Sequence, residues 1–388
     1  MTTTALRPPG RPRSGSGIRR GQTAAGILFT APAVLVLVVF LAVPIVMALW
    51  VSVSDWGGRG SPFSGAVHFI GLDNYAAITS GGGLAETDFG TSLRNNLWFV
   101  LIVVPLQTAL ALLLASLVNA RALRGRGFFR TAFYFPSVTS SVAITVLWFF
   151  LFNPSGAVNA LLGLIGLRGP NWPADATGVV HGFLGLLGVQ RAPGPLAGGG
   201  PLGITWWDWL AGPSVGMLII ISVVIFTTSG TFMLLFIAAL QNLSQEVDEA
   251  AMVDGAGAWQ RFRLVTLPQL RTTLFTVVTL GLIGTWQVFD QVFVGSKGDP
   301  GKTTLTPAYL SYQDGFVNQD WGQAAAIAFV LFAIIVAFTL LQRIVLRERG
   351  VSRRRMRRAG FLRGEDGRYA AADRALALSP TGGSGSDR

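Results

Sequence analysis

Six stretches of the chain are predominantly apolar for about the length of a membrane crossing. A bilayer core about 30 Å thick takes roughly 20 residues of helix. Segments 25–50, 97–117, 133–152, 215–240, 274–294 and 324–346 meet that length or nearly so. The pattern predicts an all-α integral membrane domain of six transmembrane helices over 25–346. Two further apolar runs, 157–167 and 179–189, are too short to cross and carry several glycines, so they predict short interfacial or re-entrant helices. Both lie in an extended loop, 153–213, and they align at an offset of 22: Asn159-Ala-Leu-Leu-Gly-Leu-Ile-Gly-Leu167 with His181-Gly-Phe-Leu-Gly-Leu-Leu-Gly-Val189. This is an apparent internal duplication.

Composition sharpens the class. Of 388 residues 51% are hydrophobic and 13% charged, against roughly 25% charged in soluble domains. A soluble globular protein and a disordered one are both excluded. With no Cys and two His, disulfides, thiol catalysis and Cys- or His-rich metal sites drop out, and no cofactor is expected. The net charge of +11 would suggest nucleic acid only if it were evenly spread. Instead 24 of the Lys and Arg residues fall before the first span, in 118–131, in 241–272 and from 342 onward, against 6 in the alternate loops. Both termini are therefore expected in the cytoplasm. The basic run Arg353, Arg354, Arg355, Arg357, Arg358 reads as a topological anchor that attracts anionic lipid and not as a nucleic-acid patch. Segments 1–24 and 347–388 read as basic, disordered cytoplasmic ends. The first apolar stretch far exceeds the roughly 7–15 residues of a cleavable signal, so it reads as a retained anchor.

No catalytic constellation emerges. Ser296 to Thr303 approaches G-x-x-x-x-G-K-[ST] but begins with Ser and falls in an outside loop, where there is no nucleotide. Gly198, Gly200 and Gly203 satisfy G-x-G-x-x-G, yet no strand precedes them and Pro201 interrupts. His68 and His181 have no second ligand at metal spacing.

The cytoplasmic loop 241–272 is unusual in being partly apolar. Residues 245–253 predict a short amphipathic helix, Gly255 permits the left-handed backbone that closes it, and a second short helix follows, limited by Pro268. Such a two-helix knob transmits displacement where a flexible loop would absorb it. Glu249, Ala250, Ala251, then Asp254, Gly255, Ala256, then Phe262, Leu267 and Pro268 resemble in order and spacing the EAA motif of ATP-binding-cassette importer permeases. Phe69 to Tyr75, Asn95-Asn96, Phe289-Asp290-Gln291 and Gly298-Asp299-Pro300 resemble the carbohydrate-uptake branch, of maltose and glycerol-phosphate type. The resemblance covers about 25–346. It implies a type I importer permease fold with both termini inside and a knob seated on a separate cassette ATPase dimer. It also implies a second permease subunit, an extracytoplasmic sugar-binding protein and a location in the bacterial cytoplasmic membrane.

Polar groups inside a membrane tend to face a cavity. Tyr134, Ser140, Ser141, Trp286, Phe289, Asp290 and Gln291 form a set suited to sugar, with rings for C–H faces and amides, hydroxyls and one carboxylate for the hydroxyl groups. Gln107, Ser137, Thr139, Thr145, Thr227, Thr228, Ser229 and Gln287 are further candidates, with bonding back to their own helices as the alternative for the hydroxyls. The expected function is a permease for sugar that hydrolyses nothing itself. A permease for glycerol phosphate or a polyol, and an integral-membrane enzyme acting on lipid-linked sugars, are the alternatives.

Overall fold

In the computed structural model, which describes residues 16–120 and 123–345, helix α1 (Ser16–Leu37) runs through a π-turn at Val38–Ala42 into α2 (Val43–Ser52). The helix thus starts inside the segment expected to be disordered, 1–24; residues 1–15 of that segment, and the tail 347–388, lie outside the described residues. Only Val51 and Ser52 of α2 are buried; Met47, Ala48 and Trp50 are half-buried, and the apolar side chains of 25–46 are uncovered. A helix that is apolar all round and lacks protein cover belongs in lipid or against another membrane chain. Its end is clamped by the 69–75 motif. Asn74 Nδ2 donates to the carbonyls of Ser52 and Ser54, both at 3.0 Å, and Tyr75 Oη donates to Ser52 Oγ at 2.8 Å, which satisfies acceptors a helix terminus leaves open.

Helix α3 (Leu84–Asn119) is much longer than the predicted span, because its first turns stand outside the apolar segment. Next come α4 (Arg126–Val138) and α5 (Ser141–Leu151), then the short helices α6 (Ala157–Leu164) and α7 (Val179–Leu186) of the extended loop. Helix α8 (Val215–Gln241) leads into α9 (Gln245–Val253), and α10 (Arg271–Trp286), α11 (Pro307–Tyr312) and α12 (Trp321–Val345) follow. Two compact units are distinguished, Met1–Ala337 and Phe338–Arg388; of the second, only residues 338–345 are described, as the end of α12. Among the described residues the only β-structure is three isolated bridges, and the fold is an all-α, multi-pass membrane fold.

Not all of the six expected spans are single unbroken helices long enough to cross. Four helices, Ala25–Ser52, Leu84–Asn119, Val215–Gln241 and Trp321–Ile344, are long and apolar enough to cross, and a fifth results if α4 and α5 count as one broken span. These two meet at 96°. The cause lies in the run Thr139-Ser140-Ser141: Thr139 and Ser140 are extended, and Ser140 Oγ caps α5 by accepting from the Ala143 N–H, so a side chain competes with the helix ladder. The segment expected at 274–294 is likewise interrupted, since α10 stops at Trp286 and residues 287–289 leave the helix before a π-turn at Val292–Ser296.

The core forms where α3 and α8 pack together. Phe99 and Val103 of α3 meet Met217, Ile220 and Val223 of α8, joined by Val292, Leu305 and Ile327. Nearer the other end, Ala111 and Ala115 pack against Phe232, Met233, Phe236 and Val277, small residues letting helices approach closely. Gly230 serves the same purpose where α4 crosses α8: a Cβ there would lie 2.4 Å from the Phe133 carbonyl, and nearby Ser137 Oγ donates to the Thr227 carbonyl at 2.6 Å.

Candidate functional site

Where α10 breaks, its residues, together with α3 and α8, enclose a cavity of about 280 Å3. The floor is Gln107, fully buried, with its Oε1 2.6 Å from Thr228 Oγ1, which is also 2.7 Å from the Val224 carbonyl. Gln107 Nε2 has no hydrogen-bond partner among the described residues, an arrangement that is costly unless something polar enters. Gly281 makes room for that amide, since a Cβ there would lie 2.5 Å from Nε2. The rim carries Gln287 and Phe289 from the non-helical break and Asp290 and Gln291 from the helical turn that follows it. Gln291 Nε2 donates to Ser141 Oγ at 3.1 Å, which ties the break of α10 to the bend before α5. No Lys or Arg lines the cavity.

The structure therefore brings Phe289, Asp290 and Gln291 to one wall with Ser141 behind them, sets Gln107, Thr227, Thr228 and Gln287 around the same cavity, and separates Trp286, Tyr134 and Ser140 from it. Trp286 is a core residue, 1% exposed, whose main-chain carbonyl accepts from Asn96 Nδ2 at 3.1 Å. Tyr134 packs by its backbone beside Gly230, and Ser140 caps α5; neither lines the cavity. The hydroxyls of Thr139, Thr145, Thr227 and Ser229 donate to carbonyls of their own helices. Two features escaped the sequence reading. Gly281 and Gly284, one helical turn apart, form part of the wall. Tyr312, Phe316 and Trp321 continue from Phe289 as a chain of contacting rings, with centroids 5.4, 5.1 and 4.8 Å apart in turn; the i, i+4 spacing of the first two was the available signal.

The second candidate site is the 241–272 loop. Helix α9 carries Glu246 and Asp248 in its first turn, where the helix dipole favours acids. It closes on Gly255 at φ +79°, with the Gly255 N–H donating to the Met252 carbonyl at 3.1 Å and the Ala256 N–H to the Ala251 carbonyl at 2.9 Å. That is a Schellman ending. A short helix, Ala258–Arg261, then passes through a π-turn at Phe262–Thr266 and on across Pro268, so proline does not end the helix as expected. The π-turn accommodates a residue without an N–H near the start of the next turn. Arg261 Nη1 donates to Asp248 Oδ2 at 2.9 Å, clasping the two limbs, and Trp259 stacks on Phe262 at 5.7 Å. Glu249 lines a cleft of about 730 Å3 beneath the knob. Ala250 and Asp254 are exposed, Ala251 and Ala256 half-buried, and Met252, Val253, Trp259 and Leu264 present an uncovered apolar surface.

The phosphate-loop lookalike is a structural turn. Lys302 Nζ pairs with Asp88 at 2.6 Å, and its carbonyl accepts from Asn95 Nδ2 at 2.8 Å. The G-x-G-x-x-G string packs against α3, where a Cβ at Gly90 would lie 2.3 Å from the Leu202 carbonyl. His68 pairs with Asp55 at 3.1 Å, and His181 stacks on Trp207 at 4.2 Å.

Residues 107–350 match the family described as the binding-protein-dependent transport system inner membrane component. The chain is 31% identical to the lactose transport system permease protein LacF of Rhizobium radiobacter over 340 residues, 87% of this chain and 98% of that protein. It is 29% identical to the arabinooligosaccharides transport system permease protein AraP of Bacillus subtilis, covering 82% and 88% of the two chains. It is 28% identical to the sn-glycerol-3-phosphate transport system permease protein UgpA of Agrobacterium fabrum, covering 81% and 92%. A crystal structure of a bacterial ABC transporter that imports the acidic polysaccharide alginate shares the fold, with TM-score 0.63 and 19% identity over 86% of this chain and 98% of that one. The chain belongs to the binding-protein-dependent transport system inner membrane components: it is a multi-pass, binding-protein-dependent permease of the bacterial inner membrane and not an enzyme.

Proposed function

We propose that the chain is one of two membrane subunits of a sugar importer, with six crossings, the third broken at Thr139-Ser140 and the fifth at 287–289, and both termini in the cytoplasm. The broken fifth crossing presents Phe289, Asp290 and Gln291 to the solute path, with Gln107 and Thr228 beneath them. The observation that carries the substrate class is the lining itself: amides, hydroxyls, two rings and one carboxylate, without a Lys or Arg. A neutral polyhydroxylated solute matches such groups, whereas a phosphate calls for a cation. The lactose and arabinooligosaccharide relatives agree with that reading. Transport is coupled through Glu249, Ala250, Ala251, Asp254, Gly255, Ala256, Phe262 and Pro268, whose knob offers an uncovered apolar face and an acid to a partner. The second permease is a similar, non-identical chain.

Affinity purification of the tagged chain from native membranes tests the assembly. Recovery of a cassette ATPase and a second permease is expected, and a chain that comes down alone even after crosslinking at 249–268 overturns it. Uptake tests the coupling: Gly255→Asp abolishes transport while the protein remains inserted, and normal uptake by that variant refutes the role of the knob.

A further inference from the structure

The duplicated runs of the extended loop fold as duplicates. Helices α6 and α7 end alike, with Gly166 at φ +78° and Gly188 at φ +90°, and the N–H groups of Leu167 and Val189 donate to the Leu162 and Leu184 carbonyls, each at 3.0 Å. Their equivalent third residues hold each helix by a tryptophan. Asn159 Oδ1 accepts from Trp172 Nε1 at 2.7 Å, and His181 Nε2 lies 3.1 Å from the Trp207 carbonyl, with its ring stacked on that indole. One side of each helix is thereby fastened, and the other is bare. Leu161, Leu164 and Ile165 of the first copy are exposed, as are the equivalent Phe183, Leu186 and Leu187, with Leu164 at 82% and Leu186 at 86%.

Both helices begin at the level where crossings end. Five residues separate α6 from the end of α5 at Leu151. The first N–H groups of α7, from Val179 and Val180, donate to the Pro213 and Ala211 carbonyls at 2.9 and 3.1 Å, just before α8 starts at Val215. Each copy is followed by an exposed arginine, Arg168 or Arg191. The two acids of the loop are engaged elsewhere: Asp175 accepts from the Thr177 N–H and Asp208 from Thr205. Half-exposed Trp206 sits on the same loop, a residue type enriched at membrane interfaces.

We propose that α6 and α7 are paired interfacial anchors that lay their leucine faces into the headgroup boundary of the bilayer, with Arg168 and Arg191 on anionic lipid headgroups. A short amphipathic helix with apolar residues on one face and cations at its edge binds membranes in this way. The inference needs only a membrane-embedded chain; it is independent of the solute and of the coupling knob.

The chain contains no Cys, so Leu164→Cys and Leu186→Cys each place a single bimane label on the full-length protein, with exposed Ser80→Cys as the water reference. In nanodiscs of phosphatidylethanolamine and phosphatidylglycerol, both labels are expected to emit at shorter wavelength than the reference. Lipids spin-labelled near the glycerol backbone should quench them more than lipids spin-labelled at the chain end. Leu161→Asp and Phe183→Asp should return the corresponding label to the reference spectrum. Labels that match the reference in lipid overturn the proposal, as do labels shielded only when the binding protein is added, since that outcome assigns the faces to a protein.

Discussion

Asn96 Nδ2 donates to the main-chain carbonyl of Trp286 at 3.1 Å, so a buried amide of α3 fastens the last turn of α10 where that helix breaks. The neighbouring Asn95 holds the following loop through the carbonyls of Lys302 and Leu305, at 2.8 and 3.0 Å. Replacing Asn96 by Leu leaves a buried carbonyl unpaired, at a cost of about 1–3 kcal/mol. The thermal midpoint of Asn96→Leu in detergent is expected to fall clearly. An unchanged midpoint would mean that the break is held by packing alone.

The cavity floor gives a paired test. Ala at Gly281 brings a Cβ within 2.5 Å of Gln107 Nε2, whereas nothing lies within 4 Å of a Cβ built at Gly284, on the same wall. Both changes favour helix by about 0.5–1 kcal/mol. Uptake by Gly281→Ala should therefore drop several-fold through displacement of Gln107, with Gly284→Ala close to wild type. Equal uptake by the two variants would remove Gln107 from the solute path.

These residues illustrate how far the sequence could be read. Hydrophobic length located every apolar segment, and spacing anticipated helix α9 and its glycine ending to the residue, because both are local properties of the chain. The breaks were not legible as breaks. Thr139-Ser140-Ser141 and Gln287 to Gln291 look like polar residues in a span until their side chains are seen capping a new helix or lining a cavity. Trp286 was credited with a ring in the path because an aromatic beside Gln287 and Asp290 fits sugar, and only packing against α3 reveals it as core. The Asp248–Arg261 pair spans 13 residues of sequence, and no periodicity announces such a contact.

That pair carries its own prediction. With side chains 46% and 24% exposed, the ion pair contributes only about 0–1 kcal/mol to stability, so its consequence is the rigidity of the knob. Asp248→Ala is expected to lower uptake while membrane levels hold. The exchange of Asp248→Arg with Arg261→Asp should restore most of it, as a double-mutant cycle of uptake rates would register. Failure of the exchange to recover any uptake would point to contacts with the ATPase made by these side chains individually.

Asp314, in the π-turn that follows α11, is buried, and burial is the chief reason its carboxyl is pushed from 3.8 up to about 6; the Asn318 amide at 3.0 Å works against that shift, and Asp320 and Asp88 add to it. The folded state therefore holds this proton more tightly than the unfolded chain does. The resulting stabilisation is complete below pH 3.8 and is lost as pH rises through about 6. In the wild type this group stabilises the fold by on the order of 1 kcal/mol as pH is lowered from neutrality through that window, so the thermal midpoint should rise. Asp314→Asn keeps an acceptor for Asn318 and removes the titration, so the variant should be more stable than the wild type above pH 6 and flatter in its pH profile below it. Identical profiles for the two proteins would show that the Asp314 carboxylate is already solvated at neutral pH.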